Sequence, residues 1–323
     1  MTKFNRRQVL GGGVALGAMA LAMPSMAQNF PSRPITFICP FPAGGIVDLV
    51  MRSFSDDLAA ELGQPVAVDV RPGASGMLAS AALAASEPDG HTIMLATLSH
   101  LTAPLFTPAA YDPIADFRSF GLVSANVSVI CVPASLGVST IDEFVELARS
   151  RPGEFNYLRP GIGSFGHLTA ESLKLATGIE MEAIDYQGVP PGIVDMLAGR
   201  LEFGTPSAVL AEPHVAEGTL AVLATVGDVR SPIFPDIPTL SEQGYEDANV
   251  SPAYFALAPA GTPEPVIERL HEALMAVMAR EDVQERVRGI GTIPLPPAGL
   301  DELQQRMAAD YARFQTLVES LEQ

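Results

Sequence analysis

The chain has 323 residues, 48% of them hydrophobic and 17% charged, which suits two globular domains or one large α/β unit. Gly 28 and Pro 28 are too few for a low-complexity chain, and two cysteines cannot build a disulfide scaffold or a four-thiolate zinc site. With 19 basic and 37 acidic side chains the formal charge is −18, which repels nucleic acid and anionic lipid and excludes both as partners.

Residues 1–27 hold Lys3, Arg6 and Arg7 and no acid, followed by an apolar Gly/Ala-rich stretch from Val9 to Met23. Ser25 and Ala27 supply the small residues of a signal-peptidase site, so cleavage is expected after Ala27. The paired arginines before Gln8 resemble a twin-arginine export signal, and an ordinary Sec signal remains the alternative. No stretch reaches the roughly 20 residues of a membrane span. Loss of the leader takes the net charge from −18 to −21, since three positive charges go with it. An exported protein has no pool of ATP or NAD(P)H. The classes left are hydrolases, redox proteins, envelope factors and solute receptors.

The mature chain reads as strand–loop–helix units. Strands are expected at Ile35–Cys39, Val66–Val70 and Thr92–Ala96, with helices at Asp48–Leu62 and Met77–Ala85. That alternation predicts a parallel, helix-covered sheet. Leu122–Pro133 is one long β-like run. A helix at Ile141–Arg149, capped by Ser139 or Thr140, leads to a strand at Phe155–Leu158 and a Gly-rich loop at Gly161–Gly166. Then come a helix at His167–Ala176, a strand at Glu182–Tyr186, a helix at Ile193–Leu197 and a strand at Leu220–Thr225. A strand at Tyr254–Ala258 precedes amphipathic helices at Pro265–Arg280 and Leu300–Leu321.

Pro40-Phe41-Pro42-Ala43-Gly44-Gly45 lies between a strand and a helix. Its glycines let backbone N–H groups point outward at a helix N-terminus, where they and the helix dipole attract an anion. A bare tight turn is the alternative. Gly161-Ile162-Gly163-Ser164-Phe165-Gly166 meets the letter of a dinucleotide fingerprint, with Asp185 nineteen residues after Gly166. Arg159-Pro160 interrupts the strand, and an exported chain meets no such cofactor, so no cofactor is expected. The loop still offers bare amides and the Ser164 hydroxyl to a small anion. Ser164 with His167, and Ser99 with His100, invite a hydrolase reading, but no G-x-S-x-G elbow is present. The five histidines lack metal-ligand spacing, so no metal site is expected. Cys39 and Cys131 are either two buried thiols or an export-permitted disulfide. Backbone dipoles can hold a carboxylate despite the −21 net charge, without steering it from a distance.

Taken together, the motifs resemble the substrate-binding receptors of tripartite tricarboxylate transporters, the Bug or TctC family. The resemblance runs over nearly the whole mature chain. It rests on Pro31–Ile35, Pro40–Gly45 with Asp48, Gly63–Val66, Arg71–Ala74, Pro88–Thr92, Tyr111–Pro113 and Asp116-Phe117. It continues through Asn156-Tyr157, Gly163-Ser164 with His167-Leu168, Asp185-Tyr186 with Gly188, Pro232–Pro238 and Pro259–Pro263. It implies a type II periplasmic binding protein of two α/β domains around a ligand cleft, with residues 28–125 plus 251–323 in one domain and 126–250 in the other. A hinge is expected near residues 125 and 250. It also implies a non-enzymatic, monomeric receptor in the periplasm that passes a small organic acid, or a related amide, to membrane permease subunits. A sensor that signals to a membrane partner, or an exported hydrolase, is the alternative.

Residue by residue, the resemblance places ligand contacts at Phe41, Pro42, Ala43, Gly44 and Gly45 with Asp48, at Thr97 and Ser99, and at Gly163, Ser164 and His167. Tyr186, Gly188 and Ser207 complete the set. Arg159 stands where the family has a small polar residue, Ile46 where it often has Gly, Gln187 where a basic residue is common, Thr205 where an acid is, and Ala253 where a Trp is. Arg159 either offers its planar fork to a second ligand carboxylate, or its face to an aromatic ring, or faces solvent paired with a surface acid.

Overall fold

The computed structural model describes residues 30–227, 229–250 and 253–321. The expected leader at 1–27 lies outside them, as do residues 251–252 beside the expected domain boundary.

In chain order the elements are β1 (Ile35–Cys39), α1 (Ile46–Leu62), β2 (Val66–Val70), α2 (Met77–Ala84), β3 (Thr92–Ala96), α3 (Leu98–Phe106), β4 (Phe117–Asn126) and β5 (Ser128–Pro133). There follow α4 (Ile141–Ser150), β6 (Phe155–Arg159), α5 (Phe165–Thr177), β7 (Met181–Asp185), α6 (Val189–Leu197), α7 (Ala208–Ala216) and β8 (Leu220–Val226). The chain ends with β9 (Ala253–Pro259), α8 (Glu264–Met278), α9 (Glu281–Gly289), β10 (Thr292–Pro294) and α10 (Leu300–Leu321).

The local signals act as chemistry dictates. Thr140 caps α4 by accepting the Glu143 amide at 3.2 Å, and Glu143 reaches back to the Ser139 amide at 2.7 Å. Gly63 ends α1 in the left-handed region, its amide returning to the Ala59 carbonyl.

One sheet has the order β10-β4-β9-β3-β1-β2. The expected parallel core is there, with β1 flanked by β2 and β3 in parallel register, while β9 joins β3 and β4 antiparallel. Ile38, Met94, Leu122 and Leu257 form its core with Leu83 of α2 and Met307 of α10. The remaining strands pair as β5-β8, antiparallel, and β6-β7, parallel. They are stitched through isolated bridges from Cys131 to Gly204 and from Tyr157 to Phe203. Phe144, Phe155, Tyr157 and Phe203 pack the core beside them. A third cluster joins Leu98 of α3, Leu168 of α5, Val250, and Phe314 and Val318 of α10.

Two expectations need correction. The run 122–133 is not one strand. It breaks at Val127, whose carbonyl leaves the ladder and takes the Ala208 amide at 3.1 Å, so β4 stays in the large sheet and β5 enters the small one. The helices α3, α7 and α9 and the short strand β10 were not expected. Of the two readings of the cysteines the structure has the first: Cys39 and Cys131 are separate buried thiols, and burial pushes the Cys39 thiol up to about 11.

Candidate functional site

The first turns of five helices line one cavity of about 430 Å³. They are Gly45–Val47 of α1, Thr97–Ser99 of α3, Ser164–Gly166 of α5, Gly188-Val189 of α6, and Ser207 with Leu210 of α7. In parallel α/β units helices begin at the C-terminal ends of strands, so β1, β3 and β6 deliver three of these termini to one edge. A helix N-terminus carries partial positive charge and unsatisfied amides. Among the described residues, no Asp, Glu, Lys, Arg or His lines the cavity. The walls are apolar, with Phe41, Leu98, Phe165, Pro190, Pro191 and Tyr254 among them. Burial raises the Tyr254 phenol above its usual value, so it stays neutral.

The amides are not equally available. Gly44 donates to the Asp48 carboxylate at 2.9 Å, and Gly45 to the Pro42 carbonyl at 3.2 Å. The free donors at this loop are the next two, Ile46 and Val47, for which no acceptor is present among the described residues. The same holds for Leu98 and Ser99 at α3 and for Phe165 and Gly166 at α5. Gly163, expected as a bare donor, gives its amide to His167 Nδ1 at 3.1 Å. Ser164 Oγ accepts the His167 amide at 3.3 Å rather than meeting its ring.

Of the expected site residues, Phe41, Pro42, Ala43, Gly44, Gly45, Thr97, Ser99, Ser164, Gly188 and Ser207 line this cavity. Asp48, Arg159, Gly163, His167 and Tyr186 do not. Asp48 is buried and holds the loop from behind: burial alone would raise its carboxyl, but Arg52 and the Gly44 amide keep it below the ordinary range. Arg159 turns to Asp185 in a two-pronged pair at 2.5 and 2.8 Å, which raises the guanidinium and lowers the carboxyl. The register explains it, because Arg159 and Asp185 are direct partners across β6 and β7. Tyr186 donates its hydroxyl to Asp195 at 2.6 Å. Residues that motif reasoning missed are Ile46, Val47, Asn126, Ser128, Gln187 and Thr205. Asn126 and Ser128 flank the strand break at Val127, and nothing in an apolar run marks that crossing.

The buried imidazoles nearby serve structure. His100 lies between Ser80 Oγ at 2.9 Å and the Pro113 carbonyl at 3.0 Å, and burial lowers it to about 4. His167 packs edge-on to Phe106 with ring centroids 5.0 Å apart, and burial lowers it to about 4 as well. Both are neutral when folded and near 6.5 when unfolded. Between those values the unfolded chain binds protons that the folded chain refuses, so stability rises with pH there. Stability is expected to fall as pH drops from about 6.5 towards 4, by about 2 kcal/mol for each imidazole. Chemical denaturation at pH 7 and pH 4.5 checks this, and equal stabilities contradict it.

Known proteins are similar to this chain in sequence and fold. The profile of the tripartite tricarboxylate transporter family receptors matches residues 50–322. Protein BugT of Bordetella pertussis is 31% identical over 286 residues, 88% of each chain. Among solved structures, Rpa4515 of R. palustris with adipate superposes with a TM-score of 0.84 at 28% identity, covering 91% of this chain and 99% of its own. The periplasmic binding protein BugD superposes with a TM-score of 0.82 at 28% identity, covering 91% and 99%. The α/β fold is thus that of the two-domain periplasmic binding proteins, and these relatives are receptors for solutes. By profile, sequence and fold alike, the chain belongs to the tripartite tricarboxylate transporter receptor family.

Proposed function

We propose that this protein is an exported, monomeric receptor that captures a small organic carboxylate in the five-helix cavity and hands it to a membrane permease of the tripartite type. The observation that carries the reading is the set of free amides at the α1, α3 and α5 N-termini, gathered on one cavity without an ionised side chain. Fixed dipoles of this kind bind a carboxylate locally in a protein of net charge −18 as translated. Adipate in the Rpa4515 neighbour supports a carboxylate as the ligand. The twin arginines and Ala27 support export to the periplasm.

Two lobes, residues 28–125 with 251–323 and residues 126–250, close on the ligand about the crossings near 125 and 250. α1 and α3 belong to the first and α5, α6 and α7 to the second, so a ligand held by both sets of amides holds the lobes together. The test is thermal denaturation against a panel of mono-, di- and tricarboxylates, hydroxy acids and aromatic acids. A matched acid at about 100 times its dissociation constant adds about 2.7 kcal/mol of stability. A panel in which no acid raises the midpoint at millimolar concentration contradicts the reading.

A further inference from the structure

The cavity contains polar atoms that nothing among the described residues uses. Ser207 is 3% exposed, and its Oγ has no hydrogen-bond partner among the described residues. Ser128 is 1% exposed, and its Oγ accepts Asn126 Nδ2 at 2.8 Å, which leaves the Ser128 proton to donate elsewhere. Asn126 Oδ1 is buried and bare. Ser128 and Ser207 are bridge partners, and all three residues line the cavity, so they form one corner of it. Turning the Asn126 amide over exchanges its two ends and leaves Nδ2 bare instead. In either orientation the corner presents two hydroxyls and one unused end of a carboxamide.

This corner differs from the α1 and α3 termini in what it can hold. At α7 beside Ser207, Ala208 donates its amide to Val127, and Leu210 and Ala211 donate theirs to the Ser207 carbonyl, while Val209, whose amide has no acceptor among the described residues, does not line the cavity. No cationic side chain lines the cavity among the described residues. A carboxylate in this corner has little to offset its desolvation, and an alkyl group there strands the buried polar atoms. A neutral group that both donates and accepts satisfies them.

We propose that the ligand is an organic acid that also carries a hydroxyl or a primary carboxamide, read by Asn126, Ser128 and Ser207. The proposal rests on the carboxylate-receptor reading and specifies its ligand. Sites built to hydrogen-bond a substrate group discriminate strongly against analogues that lack it.

The experiment is calorimetric titration with matched acids of about three to eight carbons. At each length four are compared: the plain monocarboxylate, its terminal hydroxyl and terminal carboxamide derivatives, and the dicarboxylate. The tightest binder is expected to be a hydroxyl or carboxamide acid, at least about tenfold tighter than the plain acid and the dicarboxylate of its length. In Ser207→Ala and Asn126→Leu that advantage is expected to shrink below about threefold. A dicarboxylate or plain acid that matches its neutral polar counterpart overturns the proposal, as does an advantage that survives both substitutions. The ranking in the unsubstituted protein stands alone should a variant misfold. Absence of binding by every acid contradicts the carboxylate-receptor reading itself, which separates the two failures.

Discussion

Gly163→Ala is expected to weaken ligand binding by about thirtyfold or more while leaving both lobes folded. Gly163 sits at φ +69°, and a Cβ there lies 2.7 Å from the Ala103 backbone and 2.9 Å from that of Thr102. These are main-chain atoms of α3, which cannot rotate out of the way. The Gly163 carbonyl accepts the Thr102 hydroxyl, and its amide donates to His167 of α5, so this one residue ties α3 to α5. A left-handed alanine costs about 1 kcal/mol, and overpacking adds about 1–3 kcal/mol. The cheapest relief is for the loop to leave α3, which separates the amides of α1 and α3 from those of α5. Gly178→Ala is the control. It has the same left-handed backbone at φ +71°, but open space around its Cβ. Titration of the best acid against both variants, with thermal midpoints measured alongside, separates the lost contact from the backbone cost. A Gly163→Ala protein that binds like the unsubstituted one refutes the tie.

How much of this was legible in the sequence depends on what each element answers to. The bounds of β1, β2 and β3 are those read from short runs punctuated by Gly and Pro; β1 and β3 are apolar because a buried parallel strand must be apolar on both faces, whereas β2 lies at the sheet edge and carries Asp69. α10 was legible from its amphipathic spacing. β10 was not, since three residues ending in Pro294 form a strand only by pairing with Ser124–Asn126 of β4. α3 was missed because Leu98–Ala103 are all buried, polar Ser99, His100 and Thr102 included, so no polar–apolar alternation sets the period, and Pro104 lies inside it.

In the site, the strand–Gly–helix loops were legible because a helix N-terminus leaves its mark in the glycines and caps before it. The finer assignment was not. Gly44 and Gly163 looked like donors, yet Asp48 and His167, each four residues on, consume their amides. For Arg159 the sequence left a ligand clamp and a pair with a surface acid both open, because spacing says nothing about a partner set by strand register, here Asp185 across the β6–β7 ladder.

The most direct measurement is the affinity of the best-binding acid for Ile46→Pro set against Ile46→Ala. Ile46 is the first residue of α1, where proline is tolerated because the amide has no helical acceptor. Gly45 before it is already extended, at φ −74° and ψ 165°, as a residue before proline prefers. Ile46→Pro therefore deletes one free amide from the cavity and little else, while Ile46→Ala deletes the side chain and keeps the amide. A hydrogen bond to a charged group contributes about 1.5–3 kcal/mol, so the proline variant is predicted to bind about tenfold to a hundredfold more weakly than the alanine variant at an equal thermal midpoint. Equal affinities for the two variants would contradict a carboxylate held by the backbone of α1.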